Sequence, residues 1–162
     1  MARVGKKIAL CLSGVLVFGV SEFFALSITV AGTWTLVINQ SALQGPPGSD
    51  LISIHESGLN QIMVTVDMDA WWHSYRVDVR KVDSNWHSNL RLYIRRTGNG
   101  TGLFVPSGGL NYLEITGSNT LFFTGIGDRS NIPLRERIEG VSVDIPVATY
   151  TTTIIFTLTR TN

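Results

Sequence analysis

The stretch TYTTTIIFTLT, residues 149–159, alternates apolar or aromatic side chains with threonines. A period of two residues is typical of a β-strand that buries one face and turns the other toward solvent. β-Branched and aromatic residues at this density favour a strand over a helix. We therefore expect a long strand here. The residues on its buried face are Tyr150, Thr152, Ile154, Phe156 and Leu158.

The same period of two recurs along most of the chain before this strand. It is clear in residues 30–38, 62–68, 75–82 and 90–96, and shorter candidates lie at 110–116, 120–125 and 138–145. Residues that favour turns separate these segments, and no helical period of useful length follows residue 30. The pattern predicts an all-β fold, an antiparallel β-sandwich of about eight or nine strands, with an antiparallel barrel as the alternative.

The first 27 residues have the pattern of a secretory signal peptide. Arg3, Lys6 and Lys7 give the start of the chain a positive charge. Residues 8–20 then form an apolar stretch of the length that signal peptides use, which is too short to span a bilayer. We therefore set residues 1–27 apart from the folded domain.

Small residues at Ala25 and Ser27 suit cleavage after Ser27, and a cut after Ser21 is the alternative. An uncleaved membrane anchor is the competing interpretation, which Glu22 disfavours because a charge inside a membrane is costly. Residues 28–162 are then predicted to form a single domain that is secreted or held at the cell surface.

Composition limits the partners of the predicted mature domain. The chain has 162 residues, 44% hydrophobic and 15% charged, which suits a globular fold rather than a disordered one. Removing residues 1–27 takes away three basic residues and one acidic residue and leaves a formal charge of −1, which gives no reason to expect a nucleic-acid partner. The sole cysteine, Cys11, leaves with the signal peptide, so core packing, strand pairing or assembly must stabilise the domain without disulfides.

No pattern in the sequence names a reaction, a metal site or a cofactor. His55, His73 and His87 lack the spacing of a zinc site, and no cysteine of the mature domain completes one. The glycine-rich residues 98–102 lack the lysine of a phosphate-binding loop, and no Gly-x-Ser-x-Gly elbow is present. We therefore expect a protein that is not an enzyme and needs no cofactor.

The tryptophans are the strongest candidates for contact with a ligand. Trp71 and Trp72 precede the strand that begins near Tyr75, and Trp86 follows that strand. Adjacent residues of a strand point to opposite faces, so one of the pair is expected in the core and one at the surface. An exposed tryptophan beside Tyr75 or Trp86 can stack on a sugar ring or on the apolar surface of a partner. The alternative is that Trp72 or Trp86 caps one end of the sandwich.

Residues 75–82 and 90–96 are expected to pair as a hairpin. Its outer face is then charged and aromatic, with Arg76, Asp78, Arg80, Arg91, Tyr93 and Arg95. Pairing Asp78 with Arg91 places Arg76 opposite Tyr93, which gives one ion pair and one cation–π pair. This face is either simply solvated or binds an anionic ligand or an acidic neighbour through Arg76, Arg91 and Arg95.

The end of the chain also resembles a known family. Residues 140–146, GVSVDIP, lead into ATYTTTIIFTL at 148–158, and this succession is similar to the closing strand of secreted pilin-like β-sandwich proteins of the spore coat protein U type. The resemblance implies a structural subunit of a surface appendage, with no catalytic residues to carry over.

A segment at the start of the predicted mature chain is suited to strand exchange between subunits. Its apolar residues share one face, and Gly32 leaves a gap among them. They are Ile28, Val30, Trp34, Leu36 and Ile38. Such a segment can complete a neighbour's sheet, because its backbone forms hydrogen bonds and alternate side chains fill pockets. The alternative is that it forms the first strand of its own sandwich.

These observations favour an exported structural subunit of a cell-surface or extracellular assembly, either a pilin-like filament or a coat. Self-association through a terminal strand is the expected interaction. The alternative is a secreted carbohydrate-binding module that uses exposed tryptophans, and a hydrolase ranks third.

Overall fold

Two β-sheets pack against each other in a computed structural model, which describes residues 2–4 and 26–161. The described strands are β1 (Ala2–Val4), β2 (Ser27–Ala31), β3 (Trp34–Leu36), β4 (Ile54–Glu56), β5 (Ile62–Asp67), β6 (Ser74–Asn85), β7 (Arg91–Arg96), β8 (Leu113–Glu114), β9 (Thr120–Ile126), β10 (Arg129–Glu139) and β11 (Tyr150–Arg160). A short 3₁₀ helix spans Gln40–Ala42. The predicted all-β antiparallel sandwich is confirmed, with more strands than the sequence indicated.

The strand order differs from a simple succession of hairpins. One sheet has the order β3-β1-β11-β6-β9, and the other has the order β2-β5-β10-β7-β8, with β4 also paired to β10. The described pairs are antiparallel apart from β1 with β11, which run parallel. Most paired strands are therefore distant in sequence, and the pair of β1 with β11 joins the first described strand to the last.

The core lies between the two sheets and takes alternate residues from the long strands. From the second sheet it receives Ile62, Val64, Val66, Leu92, Ile94, Ile132, Leu134 and Ile138, all fully buried. From the first it receives Tyr75, Val77, Val79, Phe122, Phe123, Ile154 and Phe156. Burying apolar area of this kind is the main source of stability for a domain without disulfides.

Strand β11 has the faces that its alternation predicts. Tyr150, Thr152, Ile154 and Phe156 are buried, and Leu158 is half-buried against the core. The threonines of the other parity are half-buried or exposed. Thr152 takes an inward position because its hydroxyl donates a 3.2 Å hydrogen bond to the carbonyl of Val82, which satisfies the polar group inside the core.

The predicted first strand is divided between the two sheets. β2 pairs with β5 in one sheet, and β3 pairs with β1 in the other. Gly32 makes the crossing, with a φ of +106° and its backbone so close to Gln61 that a Cβ atom would lie 2.1 Å from that residue's carbonyl oxygen. The apolar face is as predicted, but the segment is two short strands rather than one.

The predicted hairpin of residues 75–82 with 90–96 is wrong. β6 lies between β11 and β9 in one sheet, whereas β7 lies between β10 and β8 in the other. The connection at 86–90 therefore crosses from sheet to sheet. Both arms have the buried faces that alternation predicts, but alternation cannot specify which strand lies alongside.

The predicted strand at residues 138–145 is also wrong. The strand in this region is β10, Arg129–Glu139, and it ends at Gly140, whose backbone has a φ of +84° and lies against the carbonyl of Asn89. The sequence did not predict β10 because it contains Pro133 and several charged residues. Pro133 lies within the stretch that pairs with β5, where its missing N–H removes one donor from the ladder.

The predicted signal peptide lies almost entirely outside the described residues, apart from 2–4 and 26–27. Its processing therefore remains a prediction. Within the part of the chain that the structure describes, no helix has the length and apolar character needed to cross a membrane.

Candidate functional site

Three aromatic rings are grouped at one end of the sandwich, and we call them the aromatic platform: Trp71, Trp72 and Phe104. Trp71 is 60% exposed and Trp72 is 55% exposed. The two indoles meet edge to face with their centroids 5.4 Å apart, and Trp71 stacks on Phe104 at 6.4 Å with 13° between the ring planes. Both tryptophans are thus at the surface, whereas the sequence predicted that one would be buried.

The tryptophans lie outside the strand because the turn between β5 and β6 holds them. The backbone N–H of His73 donates a 3.1 Å hydrogen bond to the backbone carbonyl of Ala70, which closes this turn. Gly127 packs against it so closely that a Cβ atom there would lie 2.6 Å from the carbonyl oxygen of Trp71. The turn is therefore held against the neighbouring β9–β10 connection and presents both indoles outward.

Two buried arginines hold the loop at residues 97–109, which carries Phe104. Arg96 is 1% exposed, and its guanidinium donates to the carbonyls of Gly98, Pro106 and Gly108. Arg129, 4% exposed, donates to four further carbonyls of the loop, at 2.6–3.1 Å. These belong to Asn99, Gly100, Gly102 and Phe104. Charge-assisted hydrogen bonds from these two buried side chains therefore hold the loop in place.

A cavity of about 480 Å³ opens beside the platform, and Phe104 forms part of its wall. The rest of the lining mixes apolar residues with hydroxyl groups. It consists of Ser74, Tyr75, Val105, Ser107, Thr124, Gly125, Ile126 and Thr161. Its volume is within the range of small-molecule sites, which is about 300–1,000 Å³.

A charged cluster adjoins Trp72 on another side, and we call it the polar trio: Asp69, His73 and Arg160. His73 Nδ1 lies 2.6 Å from Asp69 Oδ1, and Arg160 donates to Asp69 Oδ2 at 2.9 Å and to His73 Nε2 at 2.6 Å. The ring of His73 lies 5.5 Å from that of Trp72. The hydrogen bond from His73, followed by the charge of Arg160, holds the pKa of Asp69 below its ordinary value.

The structure separates the predicted ligand residues. Trp86 lies past the far end of β6 from Trp72, and twelve extended residues between them span roughly 40 Å. Trp86 is half-buried and donates its indole N–H to the carbonyl of Leu90 at 2.7 Å. Tyr75 is buried but contributes to the cavity wall. A single site that combines Trp71 or Trp72 with Trp86 is therefore excluded.

The arginines predicted to share one face are on different sheets. Arg76 on β6 forms a two-bond pair with Asp78, at 2.5 and 3.0 Å. Arg91 and Arg95 are on β7 in the other sheet, where the guanidinium of Arg95 lies 5.1 Å from the ring centre of Tyr112. The predicted pairs of Asp78 with Arg91 and of Arg76 with Tyr93 are wrong, because β6 and β7 do not pair.

A second candidate site lies between the two strands that flank β1. The backbone of Ala2–Val4 pairs with Trp34–Leu36 on one side and with Tyr150–Thr152 on the other. A groove of about 120 Å³ opens at the end of this position where Ala2 pairs with both Leu36 and Tyr150. Apolar side chains form most of the groove, including Leu36, Ile38, Leu51, Leu90, Val141, Ile145 and Val147.

The residues predicted to take part in strand exchange pair within their own chain. Ile28 and Val30 belong to β2 and are half-buried against the core, and Gly32 makes the crossing. Trp34 is buried in β3, and Leu36 forms part of the groove. Within the single chain the segment therefore forms two strands, one in each sheet, and Leu36 belongs to the wall of the β1 position.

Among the described residues, no three histidine, cysteine or carboxylate side chains are placed together to hold a metal ion. The fold defines the class of this protein as an all-β, two-sheet sandwich, in which both candidate sites lie at the ends of strands. Comparison with protein-family models, curated proteins and solved structures finds no match. The function is therefore inferred from the residues of this chain alone.

Proposed function

We propose that this chain is an exported structural subunit of a cell-surface or extracellular assembly, a pilin-like filament or a coat, and that it is not an enzyme. One observation carries the proposal: Ala2–Val4, part of the predicted signal peptide, forms the strand between β3 and β11. If export removes residues 1–27, the mature domain loses that strand. A strand from another molecule can then take its place.

Loss of Ala2–Val4 exposes two strand edges at once. The backbone groups of Trp34–Leu36 and of Tyr150–Thr152 that face β1 would lose their partner strand. Unpaired strand edges are a template for pairing with another chain. An incoming strand would pair on both sides, which provides more backbone hydrogen bonds than joining a single edge.

The apolar groove at this position supports the same proposal. Leu36, Tyr150 and Val147 line it, and Val147 is fully exposed. An added strand usually gains specificity when its alternate side chains enter such pockets. A groove of apolar residues suits an incoming strand with alternating apolar residues.

The start of the mature chain is the segment that we assign to this exchange. β2 is an edge strand that pairs with β5, and its residues Ile28 and Val30 alternate on one face. The exchange requires β2 to leave its pairing with β5, and Gly32 is the point at which it would separate from β3, whose Trp34 stays in the core. In a second copy, β2 would fill the position that Ala2–Val4 holds here.

Sedimentation and electron microscopy of the exported protein test the proposal. We expect concentration-dependent assembly into polymers, which Leu36→Asp prevents because it places a charge in the groove. Val37→Asp is the matched control, since the adjacent Val37 side chain is 58% exposed and lies outside the groove. The proposal fails if the exported protein stays monomeric at high concentration, or if both variants assemble equally.

A further inference from the structure

We propose that the aromatic platform and the adjoining cavity form a carbohydrate-binding site, which goes beyond the structural role proposed above. One sugar ring would lie on the exposed face of one indole, with the edge of the other indole beside it, because Trp71 and Trp72 are nearly perpendicular. A neighbouring unit would enter the adjoining cavity, whose lining includes residues that bear hydroxyl groups. The proposal rests on three features that adjoin one another: rigid exposed rings, a cavity of suitable size, and a charge-compensated polar border.

The two indoles are exposed and rigidly supported. Large aromatic side chains contribute much of the apolar contact in binding sites, and stacking needs a flat ring that solvent can reach. Trp71 rests on Phe104, whose backbone carbonyl is held by Arg129 at 2.7 Å. A ligand that covers these rings therefore gains apolar contact with little further loss of side-chain freedom.

The cavity supplies hydroxyl groups directly beside the platform. Phe104 stacks on Trp71 and also lines the cavity, so the two features are continuous. Ser107 and Thr124 are joined across the cavity wall by two backbone hydrogen bonds of 2.9 Å, which fix the backbone from which their side chains extend. Hydroxyls can donate and accept, as sugar hydroxyls do.

The charges at the border of the platform compensate each other, which suits a neutral polyol as the ligand. In the polar trio, the carboxylate of Asp69 faces the guanidinium of Arg160, so the border of the platform carries compensated charge. A carboxylate has about four acceptor positions, which leaves Asp69 capacity beyond its bonds to His73 and Arg160. A pyranose presents apolar C–H groups on its faces and hydroxyls at its edge, which fits aromatic rings bordered by polar groups.

Tryptophan fluorescence of the exported protein, titrated with cellohexaose, chitohexaose and maltohexaose, tests this site. We expect a saturable change with at least one of the three. Trp71→Ala and Trp72→Ala should each weaken binding about tenfold or more, as expected for the loss of a central aromatic contact. Both residues are exposed, so neither substitution empties the core.

Trp86→Phe is the matched control, because it changes a tryptophan at the opposite end of β6 and should leave the affinity unchanged. The proposal is overturned if none of the three oligosaccharides produces a saturable change, or if the change persists in both platform variants. It is equally overturned if Trp71→Ala abolishes self-association instead, since exposed Leu103 and Val105 would then mark the platform as a protein interface.

Discussion

Phe156 and Thr153 lie three residues apart on β11 in opposite environments. Phe156 points into the core, where its ring lies 6.4 Å from that of Phe122, whereas Thr153 is on the outer face of the sheet.

Phe122 and Phe123 are adjacent, and both are buried. A register shift between Val77 and Asp78 of the partner strand explains this, because a bulge allows two successive residues to face the same side.

We predict that Phe156→Ala lowers the free energy of unfolding by about 3–5 kcal/mol, because it leaves a cavity where a core ring has been removed. Thr153→Ala should cost less than about 1 kcal/mol, since it changes only the strand preference of an outward position. Urea unfolding of both variants measures the difference. Equal and small effects would contradict the inward placement of Phe156.

At the level of single residues, burial could be predicted where the period of two was unbroken. Ile62, Val64 and Val66 are buried as the pattern indicates. Arg96 lies on the same buried face of β7 as Leu92 and Ile94. The sequence does not indicate which groups would accept hydrogen bonds from a guanidinium buried there. Most of its acceptors are backbone carbonyls of the loop, which every residue has, so they leave no signal in the sequence.

At the level of elements, the sequence predicted strands but not their neighbours. β6 and β7 are consecutive and alternate clearly, yet they belong to different sheets. Backbone hydrogen bonds depend little on side-chain identity, so the period of two gives the face of a strand and not its partner. The sequence also could not place Phe104 beside Trp71, because Phe104 belongs to a loop that is far from both tryptophans in sequence.

The crossing at Gly32 yields a prediction about the first two strands. Gly32→Ala should destabilise the protein by about 2 kcal/mol or more, because the positive φ disfavours a side chain and the added Cβ meets the Gln61 carbonyl. Gly48→Ala is the matched control, since Gly48 has a φ of +98° with no atom within 4 Å of the added Cβ. It should cost only about 1 kcal/mol.

Thermal unfolding of the two glycine variants measures this difference. The close approach of Gly32 to Gln61 would be contradicted if both variants lost the same stability. A larger loss in Gly32→Ala would show that β2 and β3 depend on a close crossing, and not merely on a flexible one.

For the whole molecule, the proposed assembly depends on where the exported chain begins. We predict that N-terminal sequencing of the exported protein finds Ile28 or a residue near it, because Ala25 and Ser27 suit cleavage and β2 follows immediately. Recovery of exported protein with residues 1–20 intact would contradict this. Ala2–Val4 would then remain available to fill the position between β3 and β11 in every copy.

Arg96 and Arg129 hold the 97–109 loop through acceptors that carry no charge. Both guanidinium groups bind mainly carbonyl oxygens of the 97–109 loop. Backbone carbonyls do not take up protons in water, unlike the carboxylates with which arginine often pairs. The loop that carries Phe104 beneath Trp71 is therefore held through acceptors that acid does not protonate.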